Sequence, residues 1–175
     1  MKKINLLILC CLGLVSINSA SAADNVHLTG ALVSEPCTLP DSDTALMVDF
    51  GTVDNKTLYK DSRSKSVPFY LHLNDCDTTS FDSLTVTFEG SQDAELLGYL
   101  ALDTASAAHG IAIGMEMTDG TLIPINKASS VLQLSQGNNI ITFNSFIQAQ
   151  QTAISNKSIV VGGFSATSTF VLNYQ

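Results

Sequence analysis

Apolar residues at every second position recur along this chain, and that spacing limits what it can fold into more than any motif does. Val67, Phe69, Leu71 and Leu73 alternate up to Cys76; Leu84, Val86 and Phe88 alternate against Thr85, Thr87 and Glu89; Ile111, Ile113, Met115 and Met117 repeat the pattern. Successive side chains of a strand point to opposite faces, so each run reads as a strand with one buried face. Ile141, Phe143, Ser145 and Ile147 form another set, and Phe164, Ala166, Ser168, Phe170, Leu172 and Tyr174 close the chain. Gly90, Asp119-Gly120 and Gly137-Asn138-Asn139 supply turn chemistry between the runs. No window longer than ten residues holds a helical stripe, although the Ala-rich stretch Ser91–His109 is less regular and suits a helical turn. Short strands separated by turns predict one nearly all-β domain of sandwich type, without linker, internal repeat or low-complexity segment.

The first residues predict export. Met1-Lys2-Lys3 precedes an apolar run from Ile4 to Ile17 and then Asn18-Ser19-Ala20-Ser21-Ala22, the three parts of a cleaved signal peptide over residues 1–22. The apolar run is too short to span a bilayer. Leu9 is too bulky for the position before Cys10 that lipoprotein processing requires. Cleavage after Ala22 leaves 153 residues, enough for one domain with a sizeable core. It also removes Lys2 and Lys3, taking the formal net charge from −8 to −10, and a chain so poor in clustered Lys and Arg is not built to bind nucleic acid. Cys10 and Cys11 leave with the leader; Cys37 and Cys76 remain in an oxidising compartment, where one disulfide is the default.

No arrangement for catalysis stands out, and the reading is of a protein that is not an enzyme and carries no metal or cofactor. His27, His72 and His109 sit in three separate segments, and Cys37 and Cys76 have no further metal ligands at a suitable spacing. Asp41-Ser42-Asp43 and Asp75-Cys76-Asp77 space carboxylates as calcium loops do, but the other oxygen ligands and the glycine are missing, so they read as turn caps. Neither a Gly-x-Ser-x-Gly elbow nor a phosphate-cradling glycine loop occurs.

Two features sit badly with a self-contained sandwich. The last strand runs almost to Gln175, and an apolar strand precedes the first remaining cysteine, with Val26, Leu28, Gly30 and Leu32 alternating with His27, Thr29 and Ala31. On the residues alone that first strand pairs either within its own domain or with another chain.

Several segments resemble subunits of chaperone/usher fimbriae, in particular the short tip-fibrillum adaptors of type 1 pili. They are Val26-His27-Leu28-Thr29-Gly30 ahead of Cys37, Val67-Pro68-Phe69-Tyr70-Leu71-His72-Leu73 leading to Cys76, and Val86-Thr87-Phe88-Glu89-Gly90. Ala108-His109-Gly110-Ile111-Ala112-Ile113, Ile123-Pro124-Ile125-Asn126, Gly162 at the fourteenth position from the end and Tyr174 at the penultimate one continue the match. The resemblance implies an incomplete immunoglobulin-like sandwich lacking its C-terminal seventh strand. Residues 23–34 would form an N-terminal donor-strand extension and residues 35–175 the pilin domain. Val26, Leu28, Gly30 and Leu32 would be the donor positions, and Gly162, Phe164, Phe170, Leu172 and Tyr174 would flank the acceptor groove. Implied partners are other pilin subunits, a periplasmic chaperone and an outer-membrane usher, in a fimbria on the bacterial surface that contributes to adhesion. Only fifteen residues run from Ala23 through Cys37, which is short for a rod subunit and points to a minor or adaptor position. A ligand-binding adhesin subunit and a secreted soluble β-sandwich binding module are the alternatives.

Overall fold

A computed structural model describes residues 35–175. Among these residues six strands carry the fold: β1 (Val67–Cys76), β2 (Ser83–Glu89), β3 (Ile111–Met117), β4 (Leu132–Gln133), β5 (Gly137–Ala149) and β6 (Thr169–Tyr174). They make two antiparallel sheets of order β1-β5-β3 and β4-β2-β6. Register follows the alternation: Phe69 lies opposite Phe143 and Leu71 opposite Ile141, while in the other sheet Val86 lies opposite Leu172 and Phe88 opposite Phe170. A slip of one residue would turn these side chains to solvent, so the apolar set fixes the pairing.

The core lies between the sheets. The rings of Phe69, Phe88 and Phe143 meet with centroids 5.2 to 5.9 Å apart, and Leu71, Leu73, Leu84, Val86 and Ile147 are almost fully buried around them. Each such side chain contributes about 1.5–3 kcal/mol through burial. One buried charge lies on the outer face of β3: Glu116, only 4% exposed, accepts both from Arg63 Nη2 and from the Ser66 hydroxyl. The Arg63 guanidinium also stacks 3.6 Å above the Phe146 ring, which fills the space left by Gly114. Burial raises the pKa of the nearby Tyr99 phenol; Arg63 lowers it and Glu116 raises it.

Three local expectations are corrected. Helices α1 (Asn55–Asp61) and α2 (Gln151–Ser155) form where none is expected, because seven and five residues are too few to display an apolar stripe. Helix α1 is fixed by its ends instead, with the Asp54 carboxylate accepting from the Lys56 N–H and Ser62 closing the last turn at φ 62°. The stretch Ser91–His109 contains no helix. The closing alternation is also not all ladder: only Thr169–Tyr174 pairs with β2, whereas the Gly163 and Ser165 carbonyls accept from the N–H groups of Ala107, Ala108 and Asp103.

Candidate functional site

An apolar trough lies between the two sheets along one side of the sandwich. Its volume is about 970 Å³; Phe69, Phe88, Leu100, Ile113 and Met115 form its floor, and residues 44–51 and 162–170 form its two walls. Among the described residues that line it, Asp49 is the one that carries a charge. A small-molecule site of this size gathers polar groups at one point to fix a ligand. Here polar groups are strung along the walls instead, which suits an extended main chain.

Neither wall has a complete set of backbone partners. From Ala45 to Val53 the backbone makes no backbone hydrogen bond to any described residue. Leu46, Val48 and Phe50 point inward yet stay only half-buried, while Met47 between them is 94% exposed. Across the trough, β6 bonds to β2 through alternate residues, with Gln175 and Ser83 exchanging both bonds at the end of the ladder. Antiparallel geometry therefore turns the N–H and C=O of Phe170, Leu172 and Tyr174 to the open edge. The side chains of Phe164, Ala166, Phe170, Leu172 and Tyr174 are half-buried in the same way. Two lips, each missing a neighbour, face one another with Phe50 and Phe164 in contact at 6.0 Å.

The first lip is held by two anchors just upstream. Cys37 and Cys76 form a disulfide. Thr38 then exchanges backbone bonds with Asn74, one short rung of antiparallel pairing beside β1. The next outward-facing N–H of β1, that of His72, is taken by a side chain: Asp43 Oδ2 accepts from it at 2.6 Å and lies 2.8 Å from His72 Nδ1. The carboxylate stands where a neighbouring strand's carbonyl would be. Pairing with β1 stops there and the chain leaves to form the lip. Burial alone would raise the Asp43 pKa, but the His72 N–H, the Ser42 hydroxyl and the His72 ring together hold it below its ordinary value.

A pH dependence follows. A depressed folded-state pKa adds stability above the unfolded value near 3.8, and that stability is lost as pH falls through the folded value. Asp43→Asn is expected to cost about 1–3 kcal/mol at neutral pH, the scale of a broken charge-assisted hydrogen bond. It should also flatten the loss of stability below about pH 4. Urea unfolding at pH 7 and pH 3 checks both; equal losses in parent and variant on acidification would remove the assignment.

Of the residues expected from sequence, Cys37 and Cys76 are joined, and Gly162, Phe164 and Phe170 line the trough. Leu172 and Tyr174 sit further along β6, packed on the core and outside the trough lining. Burial raises the Tyr174 pKa, and Glu35 raises it further. Gly162 packs so closely that a Cβ there would lie 2.8 Å from that of Ala107. Val26, Leu28, Gly30 and Leu32 lie outside the described residues. The sequence reading missed the lip at 44–51, although Leu46, Val48 and Phe50 carry the same two-residue spacing as the other strands.

Fold and trough together define a β-sandwich with one strand position open to solvent. The family model for fimbrial proteins matches residues 26–175, and this chain belongs to that family. A fimbrial-like protein of Escherichia coli K12, YfcP, is 36% identical over 156 residues, covering 88% of this chain and 85% of the relative. A putative minor fimbrial subunit of Proteus mirabilis, PmfF, is 29% identical over 171 residues, covering 94% of each. Among solved structures, the P pilus rod subunit PapA superposes with a TM-score of 0.69 at 20% identity, covering 81% of this chain and all of that one, which is a likeness of fold. The chain is accordingly a structural subunit of a surface fimbria, with other fimbrial subunits as its partners, and not an enzyme.

Proposed function

We propose that the trough is an acceptor site for the N-terminal segment of another subunit, and that this subunit's own residues 23–34 are donated in turn. The observation that carries the proposal is the pair of facing lips, each with a row of backbone groups lacking a partner and inner side chains left half-buried. A single extended strand laid between them satisfies both rows at once. That is β-strand addition, in which main-chain hydrogen bonds supply affinity and pockets for alternate side chains supply register, and pilin subunits are among the established users of this mode. Residues 35–175 are the domain that accepts it. In the donor segment Val26, Leu28 and Leu32 enter the trough and Gly30 lets the two backbones approach.

An open apolar trough with two free edges aggregates unless covered. This supports a periplasmic chaperone as its first occupant and an outer-membrane usher as the place of exchange. The fifteen residues from Ala23 through Cys37 support a minor or adaptor place in the fibre. Leu28→Asp tests donation directly. It puts a charge into an apolar site and forfeits about 1.5–3 kcal/mol of burial, so attachment to a preceding subunit should fall at least about tenfold while the variant's own trough still accepts a donor peptide. Unchanged attachment by Leu28→Asp chains, measured by native electrophoresis of assembly mixtures, would show that these residues are not donated.

A further inference from the structure

The three methionines among the described residues are placed very differently by the fold. Met47 is 94% exposed on the lip, between the inward-facing Leu46 and Val48. Met117, at the end of β3, is half-buried against the core. Met115 is 8% exposed and lies in the floor of the trough with Phe69, Phe88, Leu100 and Ile113. Its thioether is the group in that floor that a small oxidant attacks.

The surroundings of Met115 have nothing to offer a polar product. Ser145 lies opposite it in the pairing of β3 with β5, but the Ser145 hydroxyl already donates to the Gly114 carbonyl. The other floor side chains are apolar and have no hydrogen to donate. A sulfoxide oxygen on Met115 therefore stands unpaired against carbon, at the place a donated strand must cover. The same oxygen on Met47 faces water.

We infer that Met115 is a modification site at which peroxides switch off strand acceptance, open in the bare subunit and closed once the trough is filled. The inference rests on the donated-strand reading. In the step, the Met115 sulfur attacks one oxygen of hydrogen peroxide and the O–O bond breaks. The sulfur is oxidised by two electrons to the sulfoxide, and the displaced hydroxide takes the proton from the new S–OH group and leaves as water. An incoming strand then meets a polar group where it would have met a flexible apolar side chain that adjusts to its shape. A strand already in the trough separates the Met115 sulfur from solvent. Met115 is thus vulnerable only before assembly, whereas Met47 is open to oxidation before and after it.

The test treats residues 23–175, dilute enough that the chains stay apart, with hydrogen peroxide. Mass spectrometry of proteolytic fragments locates the sulfoxides, and anisotropy measures binding of a labelled peptide of residues 24–33. Oxidation should weaken peptide binding about tenfold or more in the parent and in Met47→Leu alike, and leave Met115→Leu, a swap of similar volume, unaffected. In the parent, peptide bound beforehand should protect Met115 from oxidation and leave Met47 unprotected, a readout that needs no variant. Three results overturn the site and leave strand acceptance standing: a Met115 that stays a thioether while Met47 is fully oxidised, equal oxidation of Met115 with and without peptide, or undiminished binding by chains carrying the Met115 sulfoxide. A peptide that fails to bind untreated chains overturns the donated-strand reading and this inference with it.

Discussion

Adding a second copy of residues 24–33 after Gln175 through a flexible linker is expected to turn an aggregating chain into a soluble monomer that melts at least about 10 °C higher. Strand β6 ends at Tyr174, at the Cys76 end of the trough. A linker there lets the added segment fold back antiparallel to β6, between the two lips. Burying Val26, Leu28 and Leu32 at about 1.5–3 kcal/mol each contributes on the order of 5–9 kcal/mol before the cost of ordering the segment. Whole domains are stable by only about 5–15 kcal/mol, so the added strand changes the balance outright. At roughly 2–4 °C per kcal/mol for a chain of this size, the full gain is worth about 10–36 °C, which sets the expected shift. Thermal melting followed by circular dichroism, together with size-exclusion chromatography, reads both changes. A parent that is already a stable monomer, unaffected by the fusion, would mean the sandwich completes itself.

The second large effect is expected from Cys37→Ser combined with Cys76→Ser, which leaves no stray thiol. The disulfide spans a sequence separation of 39 and limits the unfolded chain by about 4 kcal/mol in the chain-entropy model. Its loss also loosens the root of one trough lip, since Thr38 and Asp43 fasten that segment to β1 only through a few hydrogen bonds further on. The double variant should therefore melt about 10 °C lower in the strand-fused form and accumulate poorly in the periplasm. Retention of the parent's melting point and yield would reduce the disulfide to a bystander.

Much of this architecture is legible in the residues because a strand with one buried face advertises itself. The alternation from Val67 to Leu73, Leu84 to Phe88 and Ile111 to Met117 falls on β1, β2 and β3, and the apolar faces alone set which side is inward. The short helices are not legible, because their stability comes from caps and packing at the domain's end and not from a periodic stripe. The lip at Leu46–Val48–Phe50 carries the right spacing but follows Asp41-Ser42-Asp43, which reads as a turn. What makes those aspartates matter is long-range: Asp43 meets His72, 29 residues away.

Read alone, the chain determined an all-β fold, the pairing of Cys37 with Cys76 and an apolar last strand, since each follows from composition or from a local period of two. Only the tertiary structure decided that two segments far apart in the chain, 44–51 and 162–170, face each other with unpaired edges, and that Asp43 ends the pairing of the first lip. Those are relations between distant parts of the chain. No local pattern encodes them; they arise when burial of the common core forces the strands into one register and leaves one place in the sheet unfilled.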